Sequence, residues 1–413
     1  MRLSPTACLI ATTVCSIGCS DDDGPPAQQG ASIIVNGSGA PDDDANAPDQ
    51  KPAFSEQTRA KAPTKTSKVK VETITSQLAQ PWAVEVLKDG RFLVTEKQGR
   101  LRVVTAEGRV LPPIEGIPKV DDRGQGGLLD VAIDERGDEL TLCITYAEPR
   151  EDDKNATAAA CGTATGSENL TLSGLKTVFQ QEPAWESDKH FGSRLLFADD
   201  DIVWITTGER SNPDSRHLSQ DKSAALGKVI RLKRDGTVPS DNPFAADGGV
   251  AAQVWSYGHR NIQSAALDAD GRLWTVEHGA RGGDELNRPE AGKNYGWPVI
   301  TYGEDYSGTP IGSGITEKEG MEQPLYYWDP VIAPCGMVVY SGDLFSEWRG
   351  NLLIGGLVSE GLVRLTLDGD RVTSEERLSL DARVRDVAQG PDGAVYLVTD
   401  EDEGKLLKLT PAD

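Results

Sequence analysis

The sequence predicts an all-β protein, a six-bladed β-propeller, on three observations. Apolar runs of strand length recur in pairs from about residue 70 to the end of the chain. Polar, Gly-containing turns join the members of each pair. Long helical periodicity is nearly absent.

In chain order the hairpins are WAVEVLKDGRFLVTE from Trp82, LLDVAIDERGDELTLCITY from Leu128 and SRLLFADDDIVWITTGE from Ser193. They continue with SAALDADGRLWTVEHG from Ser264, the segment from Met337 ending in NLLIGGL, and VRDVAQGPDGAVYLVTD from Val384. Asp-Gly between apolar runs is a strong short-range hairpin signal. Six degenerate hairpins in one chain predict six sheets arranged radially. Their uneven spacing requires long loops to leave some blades. A propeller gathers such loops at one end of its channel, where ligands bind. Two packed β-sandwiches are the competing architecture.

Three segments are expected. Residues 1–19 read as an export signal: Arg2, an apolar stretch from Ala7 to Ile17, then Ser-Ile-Gly-Cys ending at Cys19. This pattern fits a lipoprotein signal with Cys19 lipidated, and an ordinary cleaved signal is the alternative. The stretch is too short for a normal spanning helix, so any membrane contact would run through a lipid anchor. Residues 20–68, rich in Pro, Gly, Asp, Ala and Gln, are expected to be a disordered tether. Residues 69–413 form the propeller. An exported location allows a disulfide; Cys143 with Cys161 is the favoured pair, and three buried thiols are the alternative.

The net charge of -23, with 65 acidic against 42 basic residues, argues against nucleic acid. The four histidines, at 190, 217, 259 and 278, make no HxH or HExxH spacing. Zinc is therefore disfavoured, and oxygen-rich calcium chemistry stays open.

Candidate site residues follow from position in the hairpins. His190 starts a strand in HFGSRLLF, and Glu209 ends its partner in TTGER, so the two can meet at one face. A carboxylate there would orient the imidazole as a general base. Gln125 sits in a Gly-rich turn, GQGGLLD, and offers a donor and an acceptor to a polar ligand. Arg260-Asn261 follows a strand in WSYGHRN. Arg383 and Arg385 flank Val384, and strand alternation puts them on one face. Convergent arginines in so acidic a chain point to an anion such as a carboxylate. Glu285, in GARGGDELN, could ligate calcium with nearby carbonyls, although the loop is not an EF-hand.

Seven of these motifs occur in order: GQGGLLD, HFGSRL, LGKVIRLKRDGTVPSDNPF, WSYGHRN, EHGARGGDELN, KNYGWP and RVRDV. With them, roughly residues 70–411 resemble the soluble aldose sugar dehydrogenases that depend on pyrroloquinoline quinone (PQQ), relatives of soluble quinoprotein glucose dehydrogenase. The resemblance implies a six-bladed propeller and oxidation of the anomeric carbon of an aldose sugar to a lactone, with electrons leaving to an unknown acceptor. It implies His190 as base, Glu209 as its orienting partner and Arg260 on the C5 carbonyl oxygen of the quinone. Gln125, Asn261, Arg383 and Arg385 would bind cofactor, and Tyr306 and the Pro334-Cys335-Gly336-Met337 turn would line its pocket. The carbonyls of Gly279 and Ala280 would hold the cofactor's calcium, with Glu285 and Tyr295 at a second, bracing calcium.

Two departures stand out. Val358 falls near a place where the family often has a cofactor-contacting Lys. Ile262 replaces the Pro of the family's HRNPQG. The rival readings are a sorbosone-type dehydrogenase, a calcium-dependent lactonase propeller and a binding propeller without catalysis.

Overall fold

The computed structural model describes residues 32–135, 140–199 and 201–412. Six antiparallel sheets make the six blades. The first has three strands, Pro81–Val86, Phe92–Glu96 and Arg100–Val104. The next four begin with the inner strands Leu128–Asp134, Gly192–Phe197, Ile262–Leu267 and Pro334–Val339, and each has four strands. The last blade starts at Val384–Gln389, and Lys68–Leu78 joins the C-terminal strand Gly404–Pro411 within it. The two ends of the folded chain thus close the ring through one sheet.

Each inner strand packs beside the inner strands of the neighbouring blades, and the ring closes from Val384–Gln389 back to Pro81–Val86. Apolar clusters fill the six blade interfaces. Between the first two blades, for example, Leu93 and Leu101 meet Leu129, Leu142 and Ile144. Apolar faces between blades leave the channel free for polar side chains. Helix is confined, among the described residues, to four short 3-10 turns.

Every inner strand is irregular near its start. The ladder to its neighbour slips between Pro81 and Ala83, Leu128 and Val131, and Gly192 and Leu195. It slips again between Ile262 and Ser264, Cys335 and Met337, and Val384 and Asp386. Such a bulge leaves extra residues unpaired and re-aims side chains.

Cys143 and Cys161 lie directly opposite each other on adjacent strands and form a disulfide. It closes a loop of 18 residues, for which constraint of the unfolded chain contributes about 3 kcal/mol. A Cys143→Ala, Cys161→Ala double variant is expected to lose about that much in urea unfolding, and an unchanged midpoint would refute the contribution.

The expected tether is corrected where the structure describes it. From residue 32 the arm is ordered against the propeller. Ile33–Asn36 pairs with Lys68–Val71 as an outer strand of the last blade. Ala47 and Gln57 are buried. The ordering comes from long-range contacts rather than from a local apolar pattern. The export signal and residues 20–31 lie outside the described residues.

Candidate active site

A cavity of about 300 Å3 opens at the end of the channel where the inner strands begin. Trp82, Leu129, Gly192, Gln263 and Arg385 reach it from five inner strands. Lys97, Gln125, His278, Leu357, Arg383 and Asp400 come from the loops and turns around them.

His190 flanks this cavity, since its neighbours Phe191 and Gly192 line the wall. Its backbone is left-handed, with φ of 50°. Its N–H donates to Gln125 Oε1 at 2.8 Å, which fixes the loop. Nδ1 lies 2.6 Å from Glu209 Oε1. Both side chains are buried. Gly208 permits this approach, because a Cβ there would lie 2.1 Å from the His190 carbonyl oxygen. Burial and the nearby Arg260 hold the imidazole well below its usual range. Burial lifts the Glu209 carboxyl to about 7, against the pull of Arg260 and Arg216. The imidazole is therefore neutral near pH 7, with Nε2 free to accept a proton when Nδ1–H donates to Glu209.

Arg260 and Asn261 join the same cluster. The Glu209 N–H donates to the Arg260 carbonyl at 2.9 Å. Glu277 Oε2 accepts the Arg260 N–H at 2.6 Å. The Arg260 guanidinium lies 5.1 Å from the Trp297 ring centre and donates to the His278 carbonyl at 3.0 Å. Asn261 Oδ1 accepts from the Gly192 N–H and from Gln263 Nε2. Three buried polar atoms here have no protein partner: Glu209 Oε2, Arg260 Nε and Asn261 Nδ2. Unmet buried polar atoms are costly, so together they mark a place for a polar ligand.

Arg383 and Arg385 do share a face, and both grip Asp400 at 2.7 Å. Arg385 Nη1 also lies 3.6 Å from Cys335 Sγ. The Pro334-Cys335-Gly336-Met337 turn divides. Pro334 accepts from His278 Nε2 at 3.0 Å, and Cys335 is buried beside Arg385. Gly336 is held against the Asp386 backbone, while Met337 lines a second cavity farther along the channel.

Two of the expected positions lie apart from the cavity wall. Tyr306 is 70% exposed and is not among the residues lining the cavity. Its neighbour Asp305 pairs instead with Arg216. Val358 is 55% exposed and faces a different cavity; Leu357 is the residue presented here. Lys97, which sequence reasoning missed, supplies a cation to the same cavity from the first blade.

Glu285 and Tyr295 are brought together with Glu277, Gly279 and Gly283 around a void of about 10 Å3. That is about the room one water or ion needs. Glu285 stands directly across the strand ladder from Glu277, and burial beside Glu277 pushes its carboxyl well above the usual range. The Tyr295 hydroxyl is committed elsewhere, donating to the Arg288 carbonyl at 2.6 Å. Gly279 donates its N–H to Asp284 Oδ1 at 2.7 Å, and Ala280 packs on Trp297 and Ile311. No group of three or more His, Cys, Asp or Glu placed to hold a metal occurs among the described residues. Both Glu277 oxygens already accept, from His259, Asn287 and Arg260, so the freer donors are the Glu285 carboxylate and backbone carbonyls.

His278, Gln263, Trp82 and Asp400 were also missed. Trp82 and Asp400 stand at the ends of their hairpins, while Gln263 and His278 share one blade and lie beside motifs whose other residues drew the assignment. Position relative to the inner-strand bulge is the signal that finds Trp82, Gln263 and Arg385 together.

Comparison with known proteins agrees with this geometry. The family model for glucose/sorbosone dehydrogenase matches residues 78–408. The aldose sugar dehydrogenase YliI of Escherichia coli K12 is 40% identical over 350 residues, covering 83% of this chain and 93% of that protein. The apo-form crystal structure of the soluble aldose sugar dehydrogenase from Escherichia coli superposes with a TM-score of 0.77 at 38% identity, covering 83% of this chain and all of that one. The PQQ-bound aldose sugar dehydrogenase of Streptomyces coelicolor gives a TM-score of 0.65 at 26% identity, covering 83% and 98%. By its sequence motifs, its six blades and these matches, the chain belongs to the glucose/sorbosone dehydrogenase family.

Proposed function

We propose that this protein oxidises the anomeric carbon of aldose sugars to lactones, using PQQ and calcium. The observation that carries the reading is the buried His190–Glu209 pair, 2.6 Å apart, flanking a cavity that also presents Arg383, Arg385 and Lys97. A base and an anion-binding wall are the two things such a reaction needs from the protein.

The residues fit a tricarboxylate quinone. Arg383, Arg385 and Lys97 would meet its carboxylates, with Gln125 and Asn261 beside it. The three unpartnered buried atoms of Glu209, Arg260 and Asn261 offer polar contacts to cofactor or substrate. When bound, the quinone supplies the acceptor for the substrate's hydride. His190 Nε2 takes the proton from the anomeric hydroxyl, Glu209 holds the imidazole tautomer, and Arg260 supplies positive charge against developing negative charge. The carbonyls of Gly279 and Ala280 would hold one calcium, and Glu285 with Glu277 would hold a bracing one. Hard cations favour such oxygen donors.

The test is reconstitution of purified apoprotein with PQQ and calcium, followed by dye reduction with a panel of aldoses. Sugar-dependent reduction is expected only when both are present. No activity and no quinone spectrum on binding would sink the dehydrogenase reading.

A pH profile follows from the pair. As pH falls, Glu209 is the first of the two to take a proton, at about 7. The protonated carboxyl then donates to Nδ1, the imidazole proton moves to Nε2, and the base is lost. kcat/KM is expected to fall as pH drops through about 7. Glu209→Gln cannot ionise, and its amide oxygen still accepts from Nδ1–H. Its acid limb is expected at lower pH, below a reduced plateau, and an unmoved limb would remove Glu209 from this role.

We place the protein outside the cytoplasm, lipid-anchored through Cys19. The Cys143–Cys161 disulfide supports export. Cys19→Ser is expected to release it from the membrane fraction.

A further inference from the structure

Residues 38–60 precede the family match and would be taken from sequence for a linker. In the structure they clasp the loops behind the site. The N–H groups of Asn46 and Ala47 donate to the two Asp329 carboxylate oxygens at 2.5 and 3.0 Å. Asn46 Oδ1 accepts the Val331 N–H at 3.0 Å. Arg59 donates to the carbonyls of Asp329 and Asp43 at 2.8 and 2.9 Å. Gln57 is fully buried, and its amide joins Ala53, Tyr302 and Pro324.

The clasped segment is the one that holds the Gly279–Ala280 loop. Just past Val331, the Ile332 and Ala333 N–H groups donate to Asp284 Oδ2 at 2.8 and 2.7 Å. The other oxygen of the same carboxylate accepts the Gly279 N–H at 2.7 Å. Gly283 donates to the Trp328 carbonyl at 3.0 Å. Gly282 lies directly under the clasp: a Cβ there would sit 3.0 Å from Asp329 Oδ1 and 3.3 Å from Ala47 Cβ. Hydrogen bonds joined by the backbone of residues 329–333 therefore link the arm through Asp284 to Gly279.

We infer that the arm is a positioning element. By clamping Asp329 it fixes the Gly279–Ala280 and Glu285 donors, and so sets this protein's affinity for calcium. The inference rests on the calcium reading above. Outer contacts that orient metal donors typically change affinity by about 10–100-fold when removed.

The test is calorimetric titration of metal-stripped protein, arm intact, with calcium chloride. Asp329→Ala is expected to weaken calcium binding about tenfold or more. Asp329→Asn, which keeps one acceptor oxygen, and Asn46→Ala should each weaken it less. Melting in EDTA reads any structural cost separately and covers the case where Asp329→Ala folds poorly. Lys65→Ala, which breaks only an exposed ion pair to Glu347, should bind as the wild type does. Tight binding by wild type with unchanged affinity in folded Asp329→Asn and Asn46→Ala overturns the clasp. No binding by wild type overturns the calcium reading, and the clasp with it, while leaving quinone binding to be judged on its own.

Discussion

Replacing His190 with Ala is expected to lower sugar-dependent dye reduction by about 10²–10⁴-fold, the usual worth of a positioned general base. The loss should fall on kcat, because the side chain flanks the cavity rather than gripping its anion-binding wall. Quinone fluorescence titration should still show binding. The fold should survive as well, since alanine keeps the backbone N–H to Gln125 that fixes the loop. The variant does leave Glu209 buried with neither oxygen facing an imidazole, and burial already favours its neutral form. A modest stability loss is therefore expected alongside the catalytic one. Wild-type kcat in the His190→Ala enzyme would take His190 out of the chemistry and leave the fold assignment standing.

The second large effect is expected at Arg385. Arg385→Met removes one of the two guanidinium groups on Asp400 and a cation from the cavity wall. The carboxylate is then opposed by Arg383 alone and lies near an incoming carboxylate ligand. Truncating one partner of a buried, hydrogen-bonded charge pair costs about 2–5 kcal/mol in binding. PQQ affinity should therefore fall by roughly two orders of magnitude, measured by fluorescence quenching. Arg383→Met should do less, since Arg383 is more exposed and screened. Equal affinity in Arg385→Met and wild type would show that this wall does not bind the cofactor's carboxylates.

The blades were legible because hairpins are local. A turn such as Lys88-Asp89-Gly90 closes within its own segment, through the Gly90 N–H to the Leu87 carbonyl. His190 and Glu209 were legible for the same reason, standing just beyond the adjoining ends of two paired strands of one blade. The arm was not. Its composition is that of a disordered linker, and its order depends on Asp329, 283 residues away from Asn46. Lys97 escaped because it carries no motif of its own, and His278 because its neighbours Gly279 to Glu285 account for the motif it sits in. Val358 lies in the turn after Leu352–Gly356, where adjacent side chains diverge, and Leu357 is the one that faces the cavity. Tyr306 was placed by likeness to relatives, and its loop leads it away toward solvent.

The slipped ladders at the starts of the inner strands carry a further consequence. Trp82, Gln263 and Arg385 occupy equivalent places in three different blades, each where pairing is interrupted. Those places face the cavity and are excused from the hydrogen-bond pattern that holds a blade together. A change of side chain there alters what the cavity presents while the sheet behind it keeps its register. The ring thus offers a set of interchangeable sockets, one to a blade, on a frame that does not have to be rebuilt. Variation confined to Gln263, with Trp82 kept for its packing and Arg385 for the cofactor, should alter substrate range while the sheet keeps its register.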